Sequence, residues 1–300
     1  MYLGCNLEFR GLGLHHCIHA GLSHVLVLPW ICKSRGNLSW KLVKDRDKFS
    51  WAEEFALISA LNHGESRVVQ LAVSAAPCGY CRQILAEAVC IRSAGDTAGG
   101  QMQEGDGNSL GGQGLEVFVR PNPISFSIIH LLPMPFGPRD MGETGGLFTQ
   151  QHHSLVFIEM LQDQDMAGVW GRLAKTALDC AVRSYSPYSH SPAGVALLTH
   201  ACDTSAPHQP SARVLEDSAG ECSEVVCGSY YENCAFNPST SPAKSALVAA
   251  VCAQRAFAAI SHVVLVELEG AAVSHAHETR ALIASLSPLA QVRVIYAKKT

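Results

Sequence analysis

The chain has 300 residues, 48% of them hydrophobic, enough to build two compact cores of ordinary size. A formal net charge of −4 leaves no basic stripe to track a phosphate backbone, so no nucleic-acid substrate is expected and a small molecule is favoured. Twelve cysteines with no secretory leader point to a reducing, cytoplasmic setting and to metal or thiol chemistry rather than a disulfide framework; the apolar run at 22–32, broken by His24 and Pro29, is too short to cross a membrane.

The first motif in chain order is GCNLEF at 4–9, where Asn6 and Glu8 alternate along a predicted strand and so face one side. Taken alone, that pattern is ordinary strand-edge polarity. LHHCIHA then supplies His15, His16 and His19. Residues 20–51 mix apolar and basic residues without a period; they read as translated intron rather than a built insertion and are expected to be poorly ordered. From Ala52, AEEFALISAL carries apolar residues at helical spacing behind Glu53 and Glu54, where a helix start favours negative charge. RVVQLAV (67–73) reads as a strand, and PCGYC (77–81) stands at the mouth of a second helix, QILAEAV. The polar, Gly-rich stretch 93–114 is expected to be a flexible loop before the strand LEVFVR. Residues 123–166, with LLPMPFGPRDM and its Phe136 followed by QQHHS, read as a linker.

The second half, 167–300, gives a helix (WGRLAKTALDCAV), a strand (SPYSHSPAGVALL), a variable loop, a strand (GSYYENCAF), a helix (KSALVAAVCAQRAFAAI) and a strand (HVVLVEL). The first half, 1–122, aligns with its later part: CNLEF with ENCAF, EEFALISAL with the second helix, RVVQLAV with the final strand. The first copy is therefore expected to lack its opening helix, its SPYS-like segment and its first strand, as a truncated copy would. The same alignment sets Ser241 near His19, Ala243 near Glu53, and SHAHE (274–278) where PCGYC would recur. The second copy thus reads as a non-catalytic scaffold, with His275 and His277 at a helix start rather than as ligands.

Cys78 and Cys81 lie three residues apart at a predicted helix N-terminus, where unpaired N–H groups and the helix dipole favour thiolate, the form that binds zinc. A redox dithiol of the thioredoxin kind carries its Pro inside the pair, whereas Pro77 precedes this one. A four-cysteine site needs a second close pair, and the nearest, Cys222 and Cys227, has the wrong spacing. Two cysteines, one upstream histidine and one open position fit better. Joining His19 to Ala52 restores His-Ala-Glu, which followed by Pro-Cys-x-x-Cys is the pattern of the zinc deaminases of bases and nucleosides. His15, His16 and His24 are competitors of His19 if the insert shifts the register, and Glu54 of Glu53, though its side chain points about 100° further round the helix.

With the split His-Ala-Glu, PCGYCRQILAEA, LLPMPFGPRDM, RSYSPYSHSPAGVAL and GSYYENCAFNP in place, the chain resembles the homodimeric, two-repeat cytidine deaminases of bacterial and plant type. That resemblance implies two three-layer α/β/α domains, an α/β fold, and one zinc ion per chain on His19, Cys78 and Cys81. It implies Glu53 as proton carrier, Asn6 and Glu8 on the ribose, Phe136 reaching a neighbouring subunit's site, and a homodimer acting on a nucleoside in pyrimidine salvage. The alternative is a zinc-binding protein of the same fold without turnover, because the signature is interrupted and the first strand missing.

Overall fold

The computed structural model describes residues 52–68, 70–73, 75–89, 115–119, 124–158, 168–200 and 223–300, with the backbone of 24–26, 213–216 and 222. The first part contains β1 (His24–Leu26), α1 (Ala52–Asn62), β2 (Gln70–Val73), α2 (Gly79–Val89), β3 (Glu116–Val119), β4 (Ser125–Ser127) and the one-turn α3 (Ile128–Leu131). The second contains β5 (Leu155–Phe157), α4 (Val169–Val182), β6 (Ala193–His200), β7 (Arg213–Glu216), β8 (Cys222–Ser229), α5 (Pro242–Cys252), β9 (Ile260–Leu268), α6 (Ala276–Leu286) and β10 (Gln291–Lys299).

Two sheets result, an α/β arrangement with strand orders β1-β2-β3-β4 and β5-β10-β9-β6-β8-β7. In the second, β9 and β10 run parallel and the remaining pairs antiparallel. The internal repeat is visible in the elements: α1-β2-α2-β3 follows the same path as α5-β9-α6-β10, each with a helix crossing between two parallel strands. The stretch read as a linker contributes β4 to one sheet and β5 to the other.

At the slot beside β2 the copies differ. Next to β9 lies β6, eight residues long and antiparallel. Beside β2 lies β1, three residues long and parallel, in the register His24↔Gln70, Val25↔Leu71 and Leu26↔Ala72. A strand from within 20–51 thus occupies, with reversed polarity, the position of the strand expected to be missing. The rest of 20–51 and all of 93–114 lie outside the described residues.

The second sheet is the middle of three layers. On one face α4 packs Leu173, Ala174, Ala177 and Ala181 against Ala196, Val225 and Val264; on the other, α5 and α6 pack Ala246, Leu247 and Ile283 against Val195, Val226 and Leu265. Two glycines set how closely the layers approach. A Cβ on Gly194 would collide with the backbone of Ala177 and Ala181 in α4, and one on Gly228 with the backbone of Ser245 and Ala246 in α5. The first sheet closes its core differently: Leu57, Leu71, Leu85 and Val117 share one cluster with Tyr185, Tyr231 and Val248, so side chains from the second half complete it.

Some boundaries depart from the sequence pattern. GSYYENCAF is strand only to Ser229, after which the chain turns and Phe236 takes φ 60°. The helix expected over 244–260 begins earlier, with Ser241 capping and Pro242 in its first turn, and ends at Cys252, where Gln254 takes φ 60° and stops propagation.

Candidate active site

Cys78 and Cys81 bracket the first turn of α2. The Cys78 carbonyl accepts the helical bond from the Arg82 N–H at 2.9 Å, and the Cys78 side chain is exposed; Cys81, one turn on, is buried. Arg82 secures the entry to the helix, donating through Nε to the Pro77 carbonyl at 2.8 Å and through Nη1 to the Leu131 carbonyl at 2.9 Å. Glu53 sits in the first turn of α1 and is buried, and the Cys81 thiol donates to its Oε2 at 3.2 Å.

Glu54 is occupied elsewhere, which separates it from its neighbour. Thr240 Oγ1 donates to Glu54 Oε1 at 2.7 Å, and Tyr80, between the two cysteines, also hydrogen-bonds this carboxylate. Burial, then the Glu54 charge, push the Tyr80 phenol above its ordinary range. Glu53 is therefore the member of the pair turned toward the thiols.

The electrostatics correct one expectation. Cys81 is not held as thiolate by the helix terminus: burial, then the charge of Glu53 and its hydrogen bond, then Cys78, push the thiol well above its usual range. Removal from water and a nearby carboxylate outweigh a dipole worth at most ~2 kcal/mol. The surroundings therefore suit thiolates only once a cation is present. Two sulfur donors beside a buried carboxylate are a donor set suited to a soft divalent ion such as zinc. Among the described residues no set of three His, Cys, Asp or Glu is arranged to hold a metal. His19, Asn6 and Glu8 lie outside the described residues.

Phe136 is 46% exposed and reaches α2 through its backbone: its carbonyl accepts from Gln83 Nε2 and from the Cys234 thiol, the latter at 3.3 Å. The sequence reading missed Glu87, fully buried in the helix that carries both cysteines. It accepts from the Tyr185 hydroxyl at 2.8 Å, the Tyr188 hydroxyl at 2.6 Å and the Cys234 N–H at 3.2 Å, tying α2 to the second half. The signal was an acid on the apolar face of QILAEAV, with its partners inside the SPYS segment.

At the matching place in the second copy, Ser241 caps α5, Ala243 stands where α1 has Glu53, and His275 and Glu278 stand where α2 has Cys78 and Cys81. Ser241 Oγ donates to Glu278 Oε1 at 3.0 Å, and the buried His275 ring packs on Tyr230 at 4.3 Å while His277 is exposed. At this place, among the described residues, the second copy presents neither a thiol pair nor a buried acid facing one.

The model of the cytidine and deoxycytidylate deaminase zinc-binding region matches residues 128–206 and 201–280, together half of the chain. Cytidine deaminase 1 of Arabidopsis thaliana is 30% identical over 304 residues, covering 99% of this chain and 79% of that protein. The chain belongs to the cytidine deaminase family. Cytidine deaminases of Shewanella amazonensis (30% over 266 residues, 89% of this chain) and Photorhabdus laumondii (29% over 286 residues, 95% of this chain) are further relatives. The chain spans 61% of the length of the first and 68% of the second. Among solved structures, cytidine deaminase from Mycobacterium leprae overlaps 42% of this chain and 88% of its own at 19% identity and a TM-score of 0.30; the family assignment stands on the sequence relatives. A zinc-binding family agrees with the donor set at Cys78 and Cys81, although the matched region begins at Ile128, beyond both cysteines and Glu53.

Proposed function

We propose that this chain hydrolyses cytidine or deoxycytidine to uridine or deoxyuridine and ammonia, with one zinc ion on Cys78, Cys81 and His19. The supporting observation is the 3.2 Å contact between Cys81 Sγ and Glu53 Oε2, which sets the acid of the His-Ala-Glu element beside the second cysteine of Pro-Cys-x-x-Cys in a buried place. Zinc, when bound, supplies an activated water at neutral pH. Glu53 handles the protons: its carboxylate takes one from the attacking water and delivers it to the ring nitrogen beside the reacting carbon, then takes the remaining proton of that oxygen and passes it to the departing amine. Loss of the Cys81 proton removes the bridge to Glu53 and frees the carboxylate for this work.

Asn6 and Glu8 grip the ribose hydroxyls in this reading, which makes the substrate a nucleoside and the setting pyrimidine salvage in the cytosol. Exposed Met134, Phe136 and Met141 offer an apolar stretch suited to a homodimer contact. Among the described residues no helix is long and apolar enough to cross a membrane.

The test follows loss of cytidine absorbance by the purified chain with zinc supplied, beside Glu53→Gln. Turnover is expected in the parent chain and a fall of about 10²- to 10⁴-fold in the variant at unchanged zinc content. A zinc-loaded parent without turnover refutes the activity, and an active variant refutes the role of Glu53.

A further inference from the structure

A second pair of thiols lies in the layer between α4 and the second sheet. Cys180, in α4, is 1% exposed, and Cys227, in β8, is half-buried. Cys227 packs on the α4-covered face of the sheet with Ala177 and Ala181, two residues before Ser229, whose hydroxyl bonds the Cys180 carbonyl, and this places its thiol within hydrogen-bonding reach of Cys180. The backbone around them is tightly fixed: Ser229 Oγ donates to the Cys180 carbonyl at 2.8 Å, and a Cβ at Gly194 would come within 2.7 Å of Cys180 Cβ. Arg183, one turn further along α4, donates through Nη2 to Cys180 Sγ at 3.4 Å and through Nε to the Asp179 carbonyl at 3.2 Å. Among the described residues no carboxylate ion-pairs with this guanidinium, so its charge is directed at sulfur.

We propose that Cys180 and Cys227 form an oxidisable dithiol, a modification site at which a peroxide converts the pair into a disulfide joining α4 to β8. Cys180 differs from three other described thiols. Burial raises Cys81, Cys234 and Cys252, whereas Cys180 is brought down to about 7 by the hydrogen bond from Cys227, against the cost of burial and with further help from the Arg183 charge. Two thiols in contact share a single ionisation, so the charge belongs to the pair and reaches solvent through the half-buried Cys227.

The Cys227 sulfur attacks one peroxide oxygen, the O–O bond breaks, water leaves, and Cys227 becomes a sulfenic acid. The Cys180 thiolate, inaccessible to bulk oxidant but in contact with that sulfur, attacks it; an S–S bond forms, the S–O bond breaks, and hydroxide leaves as a second water after protonation. Two thiols lose two electrons and two protons to one peroxide. This inference uses neither the zinc site nor the proposed activity.

The experiment treats the full chain with dilute hydrogen peroxide, blocks remaining thiols, and maps tryptic peptides. Trypsin places Cys180 in TALDCAVR (176–183) and Cys227 in 214–244 with Cys222 and Cys234, so fragmentation must locate the bond. A reducible link between Cys180 and Cys227 is expected, lost in Cys227→Ser and formed at least about fivefold more slowly in Arg183→Gln, where the thiolate loses its cation. Both peptides remaining as free thiols, oxygen adducts without a link, a bond to Cys222 or Cys234 instead, or an unchanged rate in Arg183→Gln at native circular dichroism would each overturn the proposal.

Discussion

Replacing Glu87 by glutamine keeps the shape of the side chain and removes its charge, and the surroundings set the cost. Three donors converge on this enclosed carboxylate: the hydroxyls of Tyr185 and Tyr188 and the N–H of Cys234. A hydrogen bond to a charged group contributes about 1.5–3 kcal/mol, against about 0.5–1.5 for a neutral pair. Glutamine leaves one acceptor oxygen and turns an NH₂ group toward donors, so at least one bond is lost and the others weaken. The expected loss is about 2–4 kcal/mol in urea unfolding, read as a fall in midpoint at constant slope. Tyr185→Phe removes one donor and should cost about 1–2 kcal/mol; because both changes break the same bond, the double variant should lose about 1 kcal/mol less than the sum. As α2 also carries Cys78 and Cys81, Glu87→Gln should release zinc faster to a chelator. A Glu87→Gln protein within about 0.5 kcal/mol of the parent, or two strictly additive losses, would refute the junction.

Metal loading is expected to depend steeply on pH: Cys81 is held protonated by burial and Glu53, so binding must expel its proton, and zinc affinity should rise about tenfold or more per pH unit between pH 6 and 8. A flat profile in chelator competition would exclude ligation through this thiol. Burial lowers His275 to about 4, so from about pH 6.5 down to 4 the unfolded chain takes up a proton that the folded chain refuses. Its contribution is whole above about pH 6.5 and falls by about 3 kcal/mol on acidification to pH 4. His275→Leu should flatten that part of the stability profile; parallel curves for parent and variant would contradict it.

The sequence revealed most where chemistry sits on neighbouring turns. Cys78 and Cys81 fall at a helix start as their motif predicts, and Glu53 and Glu54, about 100° apart on the helix, face the Cys81 thiol and the Thr240 and Tyr80 hydroxyls respectively. Contacts between distant elements stayed hidden. Glu87 and Tyr185 are 98 positions apart, and nothing in LAEAV says that an acid on its apolar face will meet three donors. Cys180 and Cys227 belong to a helix and a strand whose pairing is set by the sheet, not by any local pattern. The thiolate expectation failed for a related reason: a helix N-terminus is readable in sequence, but the depth to which Cys81 is buried is not.

The shared core has a consequence for how the protein comes into being. Leu57, Leu71, Leu85 and Val117 leave the ribosome well before Tyr185, Tyr231 and Val248, which close the same cluster. At about 5–20 residues per second, the wait for the last of them is on the order of ten seconds. During that interval the first sheet, with its short strands, lacks the side chains that complete its core. The half made first therefore cannot close its core until most of the second half has been made, and the nascent chain depends on its own later residues, or on a chaperone, to cover the surface around the cysteine pair.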